Sequence, residues 1–413
     1  MRIAFVSYYD NVGGAGKAAF RLFEKFHKEG HDVKMFVIRK VTSHENIEAF
    51  SDSTLERKNY FLERLLRKIY KLESLFSFSY FSNKKLIEAI NEFQPDIVNL
   101  HWISKGMFDI KDIQMIKAPI FWSMHDMFPV TGGCHFSNGC KRFENKCGKC
   151  PILGSKSTFD LSRFQYLRKK KLIDSKQITF IGLSKWLAGV ALNSNIVGVD
   201  KSNVINLPNL LDIDFYKPLI KEAPRKPNSN YLNVLFTAMS GTRNPRKGFD
   251  LLTGALEFID NEKVKLLIVG NSIPQNPIFE KFKIEKLLPT NDDNILLKYY
   301  NMTDIVVVPS REENFSNVIF ESMATGAGVI AFNIGGNSDF IQHKKNGYLV
   351  PKLEKLELAK GIKWMVKNLE EKEIGRNARV FIEKELGHED IYQEYRKHFF
   401  KRSNKKEILR INE

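Results

Sequence analysis

The sequence predicts an α/β protein of two parallel-sheet domains, and three features carry that prediction. Its 413 residues suit two domains of roughly 200 residues each better than one. Short apolar runs rich in Val, Ile and Phe alternate with longer stretches of helical period, as in parallel strands buried on both faces. A Pro- and Asn-rich stretch, "NLPNLLDIDFYKPLIKEAPRKPNSNY" (206–231), interrupts the alternation midway and reads as a linker.

The chain opens with a strand run, Arg2 to Tyr9, then a glycine loop, "NVGGAGKAA", and a helical pattern through Phe20, Leu22 and Phe26. "GHDVKMFVI" follows as the next strand, which makes a βαβ start with glycines at the first strand-to-helix turn. "DIVNLHW" (96–102), "PIFWSMH" (119–125) and "ITFIGLS" (178–184) are further strands. Beyond the linker the series resumes with "LNVLFTAM" (232–239), "KVKLLIVG" (263–270), "DIVVVPS" (304–310) and "GVIAFNIG" (328–335). The expected limits are 1–210 for the first domain, 211–231 for the linker and 232–387 for the second domain, with 388–413 as a helix, "EDIYQEYRKHFF", and a basic tail. Two Rossmann-like domains facing a cleft take their ligands at the carboxyl ends of the strands.

A hydrophobic fraction of 43% with 12% aromatics excludes a disordered chain. "MRIAFVSYYD" has no long apolar core, so no secretory leader is expected, and no run approaches the ~18 apolar residues of a spanning helix. The expected location is the cytoplasm. A net charge of +16 points to anionic partners: phosphorylated metabolites, nucleic acid or an anionic membrane face. Residues 54–76 carry Leu62, Leu65, Leu66, Ile69, Leu72 and Phe76 at helical spacing among Arg57, Lys58, Arg64, Arg67, Lys68 and Lys71. This is either a helix packed on the protein with a solvated basic face, or one lying on an anionic membrane.

The chemistry concentrates in "PSREENFSNVIFESMATGAGVIAFNIGG" (309–336). A strand ends near Ser310 and a helix begins near Ser316, so backbone amides at that helix start can hold a diphosphate. Glu321, within the helix, can accept both hydroxyls of a ribose, and Glu313, in the loop before it, can reach a sugar on the diphosphate.

This segment resembles the Glu-x7-Glu pattern of the retaining GT-B glycosyltransferases, specifically glycosyltransferase family 4. "GGAGKAA" is similar to the family's N-terminal glycine loop, and "NLPNLLDIDFYKP" to its entry into the second domain. "NPRKGFDLL" is similar to its Lys-Gly phosphate site, and "SMHDMFPVTGGCHFS" to a branch serving capsule, O-antigen and exopolysaccharide assembly. The resemblance implies a GT-B fold whose C-terminal helix returns to the first domain. It also implies sugar transfer from a nucleotide diphosphate sugar to a saccharide hydroxyl, on a lipid-linked acceptor, with retention. His125, Glu313 and Lys247 would be catalytic. Gly13, Gly14, Arg243, Lys247, Asn317, Val318 and Glu321 would bind the donor. No catalytic divalent metal is expected, and the protein would sit in the cytoplasm, peripheral to the plasma membrane.

All four cysteines lie in "TGGCHFSNGCKRFENKCGKC" (131–150), spaced Cys-x5-Cys-x6-Cys-x2-Cys. Cys134, Cys140, Cys147 and Cys150 read as a structural zinc shell pinning the loop 131–151, with His135 as a substitute ligand. Two disulfides, an iron–sulfur cluster and bare thiols remain open alternatives. Two other functions compete: a GT-B epimerase or phosphorylase on similar ligands, and a zinc-containing nucleic-acid binder using "RKKK" (168–171) and "KRSNKK" (401–406). The nucleic-acid reading leaves Glu313, Glu321 and both glycine loops without a role.

Overall fold

A computed structural model describes the chain except residues 71–74, 199, 220–230, 238–241, 243, 271–272, 370 and 404–413. The chain divides into two compact units: Met1–Asn209 with the C-terminal stretch from Ile391, and Leu210–Asp390.

The first unit runs β1 (Arg2–Tyr9), α1 (Gly13–Lys28), β2 (Asp32–Arg39), β3 (Ile47–Ala49), α2 (Ser53–Tyr70), α3 (Lys84–Glu92), β4 (Ile97–Leu100), β5 (Ile120–Met124), α4 (Leu161–Ser175), β6 (Ile178–Gly182), α5 (Lys185–Asn193) and β7 (Val204–Asn206). Its seven strands form one parallel sheet in the order β3-β2-β1-β4-β5-β6-β7. The central strands β4, β5 and β6 are buried at every position, so they read as unbroken apolar runs.

The second unit runs β8 (Leu232–Thr237), α6 (Phe249–Leu256), β9 (Val264–Val269), β10 (Lys283–Leu287), α7 (Asp293–Asn301), β11 (Ile305–Val308), α8 (Asn317–Ala324), β12 (Gly328–Phe332), β13 (Gly347–Val350), α9 (Lys355–Asn368) and α10 (Ile374–Glu385). Its six strands are parallel in the order β10-β9-β8-β11-β12-β13. In each sheet the order reverses once, between β1 and β4 and between β8 and β11. Such switch points open a crevice beyond the carboxyl ends of the strands.

The sequence pattern omits β3, β7, β10 and β13, all at or beside sheet edges. β10 is half-solvated and carries no continuous apolar run ("KIEKL"), whereas β13 ("GYLV") is mostly buried but only four residues long. In the expected linker, 220–230 lie outside the described residues, while Leu211 and Tyr216 are buried in the second unit's core.

The last helix, α11 (His388–Arg402), packs on the first unit, as expected. Phe399 sits 4.7 Å from the Phe121 ring and 5.4 Å from Phe26, and Tyr392 lies edge-on to Phe26 at 5.0 Å. Each buried aromatic contributes about 1.5–3 kcal/mol.

Candidate active site

In the second unit, β11 delivers the chain through Pro309 and buried Ser310 to Glu313, and Ser316 then caps α8 by position only, with no side-chain cap bond. The first turn of α8 holds Asn317 and Val318 and carries no acidic residue, which leaves its dipole available to an anion.

Facing this loop is the turn 245–247. The Asn244 side chain accepts from the Arg246 N–H at 3.1 Å and sets the turn. Gly248 ends it at φ +67°, where a Cβ would stand 1.8 Å from the Pro309 carbonyl oxygen. Only glycine lets the turn approach the end of β11 so closely. On the other side, a Cβ on Gly335 would meet the Glu313 carbonyl oxygen at 1.7 Å. The "IGG" glycines thus buttress the Glu313 loop by backbone contact.

Between these supports, Lys247 Nζ donates to Glu313 Oε2 at 2.9 Å, and Arg246 lies 3.6 Å from the same oxygen. Burial alone would raise the Glu313 carboxyl, but Lys247 and Arg246 outweigh it and hold the carboxyl below its ordinary value. Arg246 also donates to the Glu312 carbonyl at 2.9 Å. Arg246 was absent from the expected donor residues, although its place beside Lys247 was a visible signal. Arg243 lies outside the described residues. Glu321 is buried, and the Tyr300 hydroxyl of α7 donates to its Oε2 at 2.9 Å. Nothing in the spacing around Glu321 points to Tyr300, which comes from a neighbouring helix.

The second unit also holds an Asp-x-Asp pair, Asp212-Ile213-Asp214. It forms a turn in which Asp212 Oδ1 accepts from the N–H groups of Asp214 and Phe215 at 3.1 and 2.8 Å.

In the first unit, Gly13 and Gly14 open α1 directly after β1, and the cap residue Val12 offers no side-chain bond. His125 follows β5, and its Nε2 faces His101 Nδ1 at 2.9 Å. Burial lowers His125 to about 4, so its imidazole is neutral at pH 7.

The next residue starts a buried polar chain. Asp126 Oδ2 accepts from His135 Nδ1 at 2.5 Å and from Trp102 Nε1 at 2.9 Å, and Asp126 Oδ1 accepts from the Phe128 N–H. Burial opposes the charge on Asp126, yet His135 and these N–H donors hold its carboxyl below the usual range. His135 Nε2 bonds Ser77 Oγ at 2.7 Å. The Ser-His-Asp order resembles a nucleophilic triad, but Ser77 is 4% exposed and His135 fully enclosed. The chain works as a fastening between the loop and residues 75–77, which pair with it through Ser77 N–H to Gly133 O and His135 N–H to Leu75 O.

The expected zinc shell finds no support among the described residues of this structure. Cys134, Cys140, Cys147 and Cys150 are free thiols around one cavity of about 20 Å³, walled by Phe76, Phe143 and Ile152. Among the described residues, no three His, Cys, Asp or Glu are placed to hold a metal ion. Burial pushes the Cys134 thiol up to about 12 and raises Cys147 and Cys150. His135 has both ring nitrogens engaged and is no spare ligand. Buried Lys169 of α4 completes the fastening: it donates to the Phe128 carbonyl and to Thr131 O at 3.0 Å, with its ammonium 3.5 Å from the Phe128 ring centroid. Gln165 donates to Ser77 O and Gly132 O at 3.3 and 3.2 Å.

Comparison with known proteins matches residues 233–368 to the family model described as "Glycosyl transferases group 1". The chain is 24% identical over 281 residues to the colanic acid biosynthesis glycosyl transferase WcaC of Escherichia coli (strain K12), covering 64% of this chain and 66% of that protein. It is 26% identical over 227 residues to the capsular polysaccharide biosynthesis glycosyltransferase CapM of Staphylococcus aureus, covering 52% of this chain and 59% of that one. The chain thus spans less than two thirds of these relatives. Among solved structures, Anabaena HepE in complex with UDP and glucose superimposes with a TM-score of 0.66 at 17% identity, covering 97% of this chain and 100% of that one. The likeness establishes the fold: two parallel-sheet α/β units of the GT-B kind.

Proposed function

We propose that the protein is a glycosyltransferase of bacterial surface-polysaccharide assembly, moving a sugar from a nucleotide diphosphate sugar to a saccharide hydroxyl with retention. The observation that carries this reading is the Lys247–Glu313 pair, with Arg246 beside it, at the β8/β11 switch point and the start of α8. A diphosphate seated there meets two cations and the helix dipole, which stabilise the charge of the departing nucleotide. Glu313, released from Lys247, faces the transferred sugar, and Glu321, oriented by Tyr300, takes the ribose hydroxyls. The family resemblance assigns His125 to the transferred sugar and the amides of Gly13 and Gly14 to the phosphates. The bond from the anomeric carbon to the diphosphate breaks as the acceptor oxygen joins that carbon on the same face. The acceptor's proton passes to the leaving phosphate oxygen.

A thermal-shift screen across uridine, guanosine and other nucleotide sugars identifies the donor; no stabilisation by any of them at millimolar concentration would reject the reading. With the donor in hand, Glu321→Ala is expected to raise its KM by roughly 10- to 100-fold, the loss of one or two hydrogen bonds to a charged group. An unchanged KM removes Glu321 from the ribose site.

The proposed acceptor is lipid-linked, and α2 supports this. Leu55 is buried and Leu62 and Leu66 are half-buried on one side, while Asn59 donates to the Gly106 carbonyl. Phe61, Leu65 and Ile69, spaced i, i+4, i+8, form a second apolar stripe exposed at 69%, 44% and 60%. Exposed Arg57, Lys58, Arg64 and Lys68 flank that stripe. Aromatic and aliphatic side chains ringed by cations suit an anionic membrane face, at about 1 kcal/mol per cation. Vesicles containing anionic lipid are expected to sediment the protein, and salt to release it. Equal sedimentation with neutral vesicles would return α2 to a solvated surface helix.

A further inference from the structure

At the ends of adjacent strands β4 and β5, two imidazoles meet in a setting that decides where their protons lie. The strands are locked in register by a buried pair one step earlier on the same face, Asn99 Nδ2 donating to Ser123 Oγ at 3.0 Å. Alternation along each strand then brings His101 and His125 together, ring centroids 5.2 Å apart. His101 is 3% exposed, with Phe5 packed at 6.1 Å. Among the described residues its Nε2 is buried without a hydrogen-bond partner.

Burial keeps both imidazoles neutral, so a single proton lies between His101 Nδ1 and His125 Nε2. If His125 Nε2 carried it, the buried Nε2 of His101 would have to hold a hydrogen with no acceptor. If His101 Nδ1 carries it, the orphaned atom is a bare lone pair. Folded proteins leave buried N–H donors unsatisfied more rarely than acceptors, so the second arrangement prevails.

We infer that His101 is a positioning residue that donates from Nδ1 to His125 Nε2 and thereby fixes His125 as the neutral tautomer protonated on Nδ1. Protonated on Nδ1, and with its Nε2 lone pair taken by His101, His125 serves as a hydrogen-bond donor and not as a general base. This deepens the role proposed for His125: the group it meets is a sugar oxygen in its accepting role.

The test uses the full-length protein labelled with ¹⁵N-histidine, with two-bond ¹H–¹⁵N correlation spectra at pH 7 and His125 assigned by its disappearance in His125→Gln. The expected wild-type spectrum shows His125 protonated at Nδ1 and bare at Nε2. In His101→Leu that preference is lost, kcat falls about 10-fold or more, a barrier change of about 1.4 kcal/mol, and the donor KM stays within about 2-fold. His101→Asn, whose amide nitrogen reaches the place of Nδ1, restores the tautomer and most of kcat. A wild-type His125 protonated at Nε2, or one whose tautomer ignores His101→Leu, would overturn the inference. Should His101→Leu fail to fold, the wild-type spectrum still decides. The spectrum needs no turnover, so a wild type that transfers no sugar would count against the proposed function and leave the histidine pair standing.

Discussion

Lys247→Ala is expected to lower kcat by roughly 10²–10³-fold, the scale seen when one preorganised stabiliser of developing charge is removed. Two cations stand near Glu313 Oε2, and Lys247 is the closer, at 2.9 Å against 3.6 Å for Arg246. Its charge matters most as the nucleotide leaves, so the effect falls mainly on kcat and only secondarily on donor KM. Glu313 adds a second signature. With its carboxyl held below the ordinary value, the Glu313 contribution to stability is complete above the unfolded value, about 4.3, and is lost only as the pH falls further, through the lower folded value. Lys247→Ala removes the closer cation, so acid unfolding of the variant should begin at higher pH than in the wild type. Steady-state kinetics and an acid titration followed by circular dichroism check both. Unaltered kinetics would place the leaving group elsewhere.

Gly248→Ala is expected to be worse for the fold than for any single contact. At φ +67° an alanine already costs about 1 kcal/mol, and its methyl group would stand 1.8 Å from the Pro309 carbonyl oxygen, so the 245–247 turn must move away from β11. A loss of about 2–4 kcal/mol in the second unit follows, with Lys247 and Arg246 drawn off Glu313. Urea denaturation together with donor binding reads this out. A variant with wild-type stability and donor KM would mean that the turn is not what holds Lys247.

Much of this was legible in the linear chain. The central strands β1, β4, β5, β6, β8, β9, β11 and β12 show as apolar runs because a parallel strand buried on both faces needs no polar side. The frame around Glu313 and Glu321 was legible for a similar reason: strand end, small loop, helix start and glycine pair are local geometries, and each is written in neighbouring residues. Edge strands such as β10 were hidden by their solvated side. Along α2, periodicity announced a helix, but only packing decided that Leu62 and Leu66 turn toward the body while Phe61, Leu65 and Ile69 stay exposed.

The cysteine loop marks the boundary between the two kinds of information. Four thiols in twenty residues were a pattern in the chain, and that pattern pointed to a metal as the loop's fastening. In the folded protein the fastening is made by Asp126 and His135 with Ser77, by Lys169 and by Gln165. Ser77 lies 58 residues from His135, and Lys169 lies 38 residues from Thr131. The sequence by itself determined the two parallel-sheet units and the local frame around Glu313 and Glu321. Tertiary structure alone decided which distant side chains complete a buried hydrogen-bond network, because a polar group taken out of water must find its partner wherever the fold brings one within about 3 Å.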